Sequence, residues 1–584
     1  MNATCFRCLA VAATLFSVTA PALAQQSQPA PAPPPIISDY ARILPVIGKQ
    51  GMVVSQEATA SRIGVDVLKR GGNAVDAAVA VGFALAVTLP RAGNLGGGGF
   101  MVIHRADLKQ STTIDYRETA PDSTTRDVFL DDKGQADARK SMWSGLAVGV
   151  PGTVAGFELA HRKYGSGKLS LAELIAPAVK LAREGLVVEE DLADSLPKAA
   201  IQLGRFPSSA KIFLKDDGGA PARGDILKQT DLANTLEAVG RDGPQSFYEG
   251  PTAEKIAAAV REAGGRMQAE DLKKYQPFER APVEGTYRGY KIVSMPPPSS
   301  GGVHVVQILN LLEGFPIGAL GSNSADTIHL MAEAEKLAYA DRSEFLGDPA
   351  FVKVPVKGLT SKLYADKLRP LMSATRARPA AEVKPGAPLP YESDQTTHFS
   401  VVDKDGNAVS NTYTLNFSYG LGLVAEGTGV LLNNELDDFA AKPGVPNAYG
   451  LIGGDANAPG PGKRPLSSMS PTLVFKDGEL MLVTGSPGGA RIITTVLQII
   501  MNVVDHGMNA AEATEAVRVH HQWLPDELRV ERGLSIDTIR LLEARGHKVV
   551  MLPAMGSTQT IQRAEGLLYG AADTRQRGTG AAGY

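Results

Sequence analysis

The chain has 584 residues, 43% hydrophobic and 21% charged, with a formal net charge of −3. That length can bury a large core, and that charge offers no basic footprint for nucleic acid. Both cysteines, Cys5 and Cys8, lie near the N-terminus, so a chain trimmed beyond them has no disulfide, thiol nucleophile or Cys-ligated metal.

Arg7 followed by an apolar run over 8–20 and the small-x-small site Ala22-Leu23-Ala24 reads as a secretory signal peptide, residues 1–24. Its bacterial character predicts a periplasmic protein. Residues 25–39 form a Pro/Ala/Gln-rich spacer, and no later stretch is long and apolar enough to serve as a membrane anchor. Helical spacing over 55–71 ends at Gly71-Gly72, and Asn73 caps a second, buried helix over 74–87. The run 90–99, PRAGNLGGGG, lacks the lysine of a phosphate loop and reads as a close-packed turn into a strand over 100–104. A strand over 112–116 ends in Arg117-Glu118. Arginine there fits a surface ion pair or a clamp for a carboxylate.

Residues 151–275 carry mainly helical signals, 287–295 a strand, and 324–345 a long helix. The Pro-rich, charged segment 353–390 reads as an exposed connector. It leads to ESDQTTHFSVVDKDGNAVSNTYTLN, residues 392–416, two alternating runs around a Lys404-Asp405-Gly406-Asn407 turn. The second run sets Ala408, Ser410, Thr412, Thr414 and Asn416 on one face, hydroxyl-rich in character. An ordinary half-exposed hairpin is the competing reading. Beyond it, NNELDDF over 433–439 suits a hard cation or a plain polar loop. The segment 443–454 has the composition of a lid. RPLSSMSPT and GSPGGAR supply further turns, and Gly488-Gly489 opens an apolar helix over 492–504. A helix over 535–545 and a strand over 548–552 close the reading.

The histidines sit in no recognisable Ser-His-Asp arrangement, and His398 suits packing better than catalysis. A threonine hydroxyl needs a base. A cut between Gln395 and Thr396 would supply one, because the freed α-amine of Thr396 titrates at about 7.7–8.0 and takes the proton of its own hydroxyl.

QTTHFSVVDKDGNAVSNTYTLN, NNELDDF, RPLSSMSPT, GSPGGARIITTVLQ, IDYRETAP and NAVDAAVAVGFALAVTLPRAGNLGGGGFM resemble the γ-glutamyltransferases (γ-glutamyltranspeptidases), a family of N-terminal-nucleophile (Ntn) hydrolases. The likeness runs in order over nearly all of 47–584. It implies an α/β protein, a four-layer αββα sandwich built jointly by a large subunit, 40–395, and a small catalytic subunit, 396–584. These remain together as a heterodimer after self-cleavage before Thr396. It further implies Thr396 as nucleophile, Thr414 as its hydrogen-bonded helper, and Gly488 and Gly489 as oxyanion donors. Arg117, Ser467 and Ser468 match positions that hold the substrate α-carboxylate. Asn416, Glu435 and Asp438 match those around its α-amine, which makes the acids ammonium ligands, and Tyr449 matches the aromatic of the lid. No cofactor and no metal are implied. The implied substrates are glutathione and other γ-glutamyl compounds, with water or amino acid and peptide amines as acceptors. The alternatives are a cephalosporin or glutaryl acylase of the same superfamily and a non-enzymatic secreted binding protein. Pairing Thr396 with Thr414 requires a three-residue Lys404-Asp405-Gly406 loop with Gly406 left-handed; a two-residue loop would offer it Leu415.

Overall fold

Alternation along the strands sorts their side chains between two cores. In Met52–Ser55, Val53 faces one and Met52 and Val54 the other; in Gly98–Arg105, Met101 and Ile103 part from Phe100 and Val102 in the same way. Since successive strand residues face opposite sides, a sheet buried this way is covered on both faces, and its strands read as nearly unbroken apolar runs. The computed structural model describes residues 43–388 and 398–584. The expected signal peptide and spacer, and both Gln395 and Thr396, lie outside the described residues.

Two antiparallel seven-stranded sheets pack face to face. One runs in the order Gly580–Gly583, Met52–Ser55, Phe399–Val402, Ala408–Thr414, Gly98–Arg105, Gln110–Tyr116, Phe278–Arg280. The other runs Val46–Gly48, Leu567–Ala572, Gln559–Ala564, Glu479–Thr484, Thr472–Lys476, Tyr290–Ser294, Val283–Tyr287. Helices Ala58–Lys69, Ala74–Thr88, Thr153–Tyr164 and Leu171–Glu184 cover the first sheet. Gly301–Leu312, Ala325–Phe345 and Arg491–Val504 cover the second. The result is the expected αββα sandwich, with strands from before and after position 396 interleaved in each sheet. Among the described residues no helix is long and apolar enough to cross a membrane.

The helix Ala74–Thr88 starts where expected: the Asn73 side chain accepts from the amides of Val75 and Asp76, and Asp76 accepts from the Asn73 amide. This reciprocal cap satisfies amides that would otherwise be orphaned at a buried helix end.

Four expectations need correction. The two strands of the hairpin are fully buried, against the competing half-exposed reading: Phe399–Val402 and Ala408–Thr414 are central strands. Its hydroxyl face meets the other sheet, where Ser410 donates to Thr484 O (3.1 Å) and accepts from the Thr472 amide (3.0 Å). Asn416 is not on the strand, which ends at Thr414; it takes a left-handed φ of +72°. The single strand expected over 287–295 is a hairpin, Val283–Tyr287 and Tyr290–Ser294, turning at Arg288-Gly289. Finally, the connector is packed. Leu359, Tyr364, Leu368, Met372 and Val383 are buried in the helical core, and Arg369 donates to the carbonyls of Asn310 and Leu311. Proline and charge hid that packing because the apolar residues there follow no single period.

The turn has the predicted bulged register. Phe399 pairs with Asn411 and Val402 with Ala408, the Asp403 amide donates to Asn407 O (3.1 Å), and Gly406 has φ +86°. A side chain at that φ is strained, which is why glycine stands there.

Candidate active site

Thr414, last in its strand, is held from several directions. Its hydroxyl accepts from the Asn416 amide (2.7 Å), and its carbonyl accepts from the Asn94 side chain (2.9 Å). Asn94 in turn accepts from the Gly97 amide and the Thr153 hydroxyl. A Cβ on Gly97 would run into the Thr414 carbonyl, so part of the glycine run is explained by close approach to this strand end.

A cavity of about 380 Å³ opens beside Thr414. Its wall brings together Thr414 and Asn416, Glu435 and Asp438, Ser467 and Ser468, Tyr449, and Gly488 and Gly489. These residues span more than seventy sequence positions and arrive on five separate segments, each singled out by the sequence. Arg117 stands behind this wall, fully buried. Its guanidinium donates to Glu435, to Asp438 (2.8 Å) and to Pro465 O (3.2 Å), with Glu118 at 3.5 Å. One cation therefore serves three buried acids. Asp437, the remaining acid of the run, turns away to accept from Ser141 (2.7 Å) and the Ala448 amide (3.3 Å). Asp437 therefore does not join Glu435 and Asp438, and the three acids of NNELDDF do not form one cluster.

Burial dominates the electrostatics here. It raises the Asp438 and Glu435 carboxyls above the ordinary range, and Arg117 offsets only part of the rise. The Glu118 carboxyl is raised by burial to about 7, against 4.5 for an ordinary glutamate. A folded value above the unfolded one means that Glu118 favours folding by its bound proton below pH 4.5 and loses that help as pH climbs through about 7. Glu118→Gln, fixed in the neutral form, is therefore expected to match the wild type near pH 4.5. At pH 8 it should be more stable by roughly 1–3 kcal/mol in chemical denaturation. Equal stability at both pH values would exclude this charge burial.

The sequence reading missed Arg342, on the fully buried face of Ala325–Phe345. It donates to the Ser300 hydroxyl (2.9 Å), the Ser467 carbonyl (3.5 Å) and the Ser468 hydroxyl (3.4 Å), and so shapes the Ser467-Ser468 turn. Burial lowers its pKa to about 10. The sequence carried no signal for it, because Arg342 is one of seven charged residues in that helix and reads as part of a solvated face.

Gly488 (φ +140°) and Gly489 (φ +57°) lead into the helix Arg491–Val504, and among the described residues neither amide donates a hydrogen bond. Free amides at a helix entry are suited to developing negative charge. Tyr449 lies over them: its hydroxyl donates to Asn416 O (2.7 Å), and a Cβ on Gly489 would come within 2.6 Å of its ring. The segment carrying it is folded back on itself by Asn447 N to Leu451 O (3.0 Å). Gly489→Ala combines backbone strain with displacement of Tyr449, and is expected to lower turnover by about 10²–10³-fold. A steady-state assay showing wild-type kcat would contradict that arrangement. His398 is buried and neutral, its pKa held at about 3 by desolvation, and it bonds Ser400 (2.6 Å), in keeping with a packing role.

Two antiparallel sheets sandwiched between helical layers, with a polar cavity at the end of a central strand, form the architecture of the Ntn hydrolases. The sequence relationships narrow the class. A family model described as "Gamma-glutamyltranspeptidase" matches residues 60–583, and the chain belongs to that family. It is 58% identical over 542 residues to a "Glutathione hydrolase proenzyme" of Escherichia coli (strain K12), covering 92% of this chain and 93% of that protein. Among solved structures, a cephalosporin acylase from Bacillus halodurans superposes with a TM-score of 0.82 at 28% identity, covering 94% of this chain and 99% of that one. A Helicobacter pylori gamma-glutamyltranspeptidase gives 0.56 at 44% identity, over 60% of this chain and 97% of that one.

Proposed function

We propose that the protein is a γ-glutamyltransferase and glutathione hydrolase that matures by cleaving itself before Thr396. The freed α-amine of Thr396 takes the proton of its hydroxyl, and the oxygen attacks the γ-carbonyl of the donor. The tetrahedral oxyanion is met by the Gly488 and Gly489 amides. Collapse breaks the C–N bond, the departing amine leaves with the proton, and a γ-glutamyl ester remains on Thr396. Water, or the amine of an amino acid or peptide, then attacks that ester and restores the hydroxyl. Thr414 positions the nucleophile, and the chemistry calls on no cofactor.

The observation that carries this reading is the juxtaposition of Glu435 and Asp438 with Ser467 and Ser468 in one cavity with Gly488 and Gly489. A γ-glutamyl group ends in a zwitterionic α-carbon, whose ammonium suits the acids and whose carboxylate suits the hydroxyls, with Arg117 behind the wall orienting the acids. Glu435 Oε2 has no hydrogen-bond partner among the described residues, which leaves an acceptor for the ammonium. Tyr449 closes over the bound glutamyl group. The large and small subunits stay together because they share both sheets, and the N-terminal signal directs the protein to the periplasm.

A glutaryl or cephalosporin acylase is the second reading, supported by the fold of the Bacillus halodurans enzyme. A glutaryl group has no α-ammonium for Glu435 and Asp438. Hydrolysis of γ-glutamyl-p-nitroanilide compared with glutaryl-cephalosporanic acid separates the two, and preference for the latter would overturn the proposal. A purified protein that persists as one uncleaved band would instead point to a binding protein.

A further inference from the structure

A second cavity, of about 420 Å³, adjoins the first, and Arg91, Ser418 and Gln576 belong to the walls of both. Arg91 follows the buried helix Ala74–Thr88, and its carbonyl accepts from the Tyr419 amide (3.0 Å), which ties it to the loop after Thr414. Asp191 holds the Arg91 side chain through Nε at 2.7 Å. Its two terminal amino groups make no hydrogen bond or ion pair among the described residues. The other cations of this cavity differ. Arg575 is consumed by Glu531 and Asp573, whereas Arg577 is largely exposed and meets Glu190 and Asp194 through Nη1 alone, at the solvent side of the cavity. Lys198 is an exposed point charge at the rim. Arg91 is thus a guanidinium anchored at one edge, with its fork offered to the boundary between the cavities.

Acyl transfer needs room on both sides of the bond that breaks. The acids of the first cavity suit an ammonium, and its oxyanion loop suits the reacting carbonyl. The half of the substrate on the nitrogen side, when it is an amino acid or short peptide, ends in a carboxylate of its own. A planar fork meets such a group with two parallel hydrogen bonds, which a lysine cannot do. We infer that the second cavity seats this amine-side half, both leaving peptide and incoming acceptor, and that Arg91, oriented by Asp191, binds its terminal carboxylate. The inference rests on the γ-glutamyl-transfer reading.

The first test needs no variant. With γ-glutamyl-p-nitroanilide as donor, the wild-type protein is expected to use glycylglycine as acceptor about tenfold more efficiently than glycylglycinamide, which lacks the carboxylate. Equal efficiency overturns the inference. In Arg91→Gln that preference should fall to near one. The ratio of KM for glutathione to KM for γ-glutamyl-p-nitroanilide, whose leaving group has no carboxylate, should rise about tenfold. Asp191→Asn should shift both in the same direction by less. If both ratios keep their wild-type values in Arg91→Gln, or collapse instead in Arg491→Gln, which also lines the first cavity, Arg91 is not the anchor. Absence of any γ-glutamyl-p-nitroanilide turnover by the wild type counts against the proposed function, not against this placement.

Discussion

Replacing Thr396 with alanine is expected to leave the purified protein as one uncleaved chain and to lower γ-glutamyl turnover by roughly 10⁴-fold or more. Two losses follow from one atom. Without the hydroxyl there is nothing to attack the Gln395 carbonyl, and without the cut there is no free amine to act as base. Thr396→Ser keeps the oxygen and should retain cleavage and part of the turnover. In the mature wild type, kcat/KM should rise with pH as the α-amine loses its proton, with an inflection at about 7.7–8.0. Intact mass spectrometry reads the cleavage directly; a normally processed Thr396→Ala protein would remove Thr396 from the mechanism. The described part of the hairpin supports the choice of position. Its bulged register is the one the sequence required for a threonine helper opposite the nucleophile.

Arg117→Met is expected to be as damaging to stability as to binding. Arg117 is the one guanidinium within 4 Å of the Glu118, Glu435 and Asp438 carboxylates among the described residues. Removing one partner of a buried ion cluster leaves uncompensated charge, at a cost of about 3–5 kcal/mol. The raised carboxyls give this cost a direction with pH. Each acid has a folded pKa above its unfolded one, so the penalty is small where all are protonated and grows as pH rises through their folded values. Variant and wild type should therefore melt closely together near pH 4 and far apart at pH 8. KM for γ-glutamyl donors should rise steeply too, since Glu435 and Asp438 lose the fork that orients them. Arg117→Lys should recover part of the stability and little of the KM, because a point charge does not span Glu435 and Asp438 together. Wild-type KM and melting behaviour in Arg117→Met would show that the cluster matters to neither.

The sequence legibly marked five of the segments that line the first cavity, because each carries an unusual local chemistry: a glycine pair before an apolar helix, acids clustered after an Asn-Asn, serines in a turn; Gly556, Ser557 and Gln576 carried no such mark. It also specified the hairpin register, since the length of a loop with glycine at one fixed place dictates which residues face each other. Burial was less legible. Arg117 read as a surface pair or an open clamp, whereas it lies inside and is occupied by acids some 320 positions away, at 2.8 Å in the case of Asp438. Arg342 and Arg91 were not singled out at all, because a lone arginine has no local pattern; its meaning lies in what the fold brings to it.

Residue type and spacing along the chain thus determined the hairpin register and the candidate nucleophile, while the resemblance to the γ-glutamyltransferases implied the sandwich. The tertiary structure alone decided that the hydroxyl-rich strand is central, that one guanidinium is shared among three buried acids, and that a second cavity meets the first at Arg91. Those features arise from long-range packing and desolvation, which no stretch of sequence carries by itself.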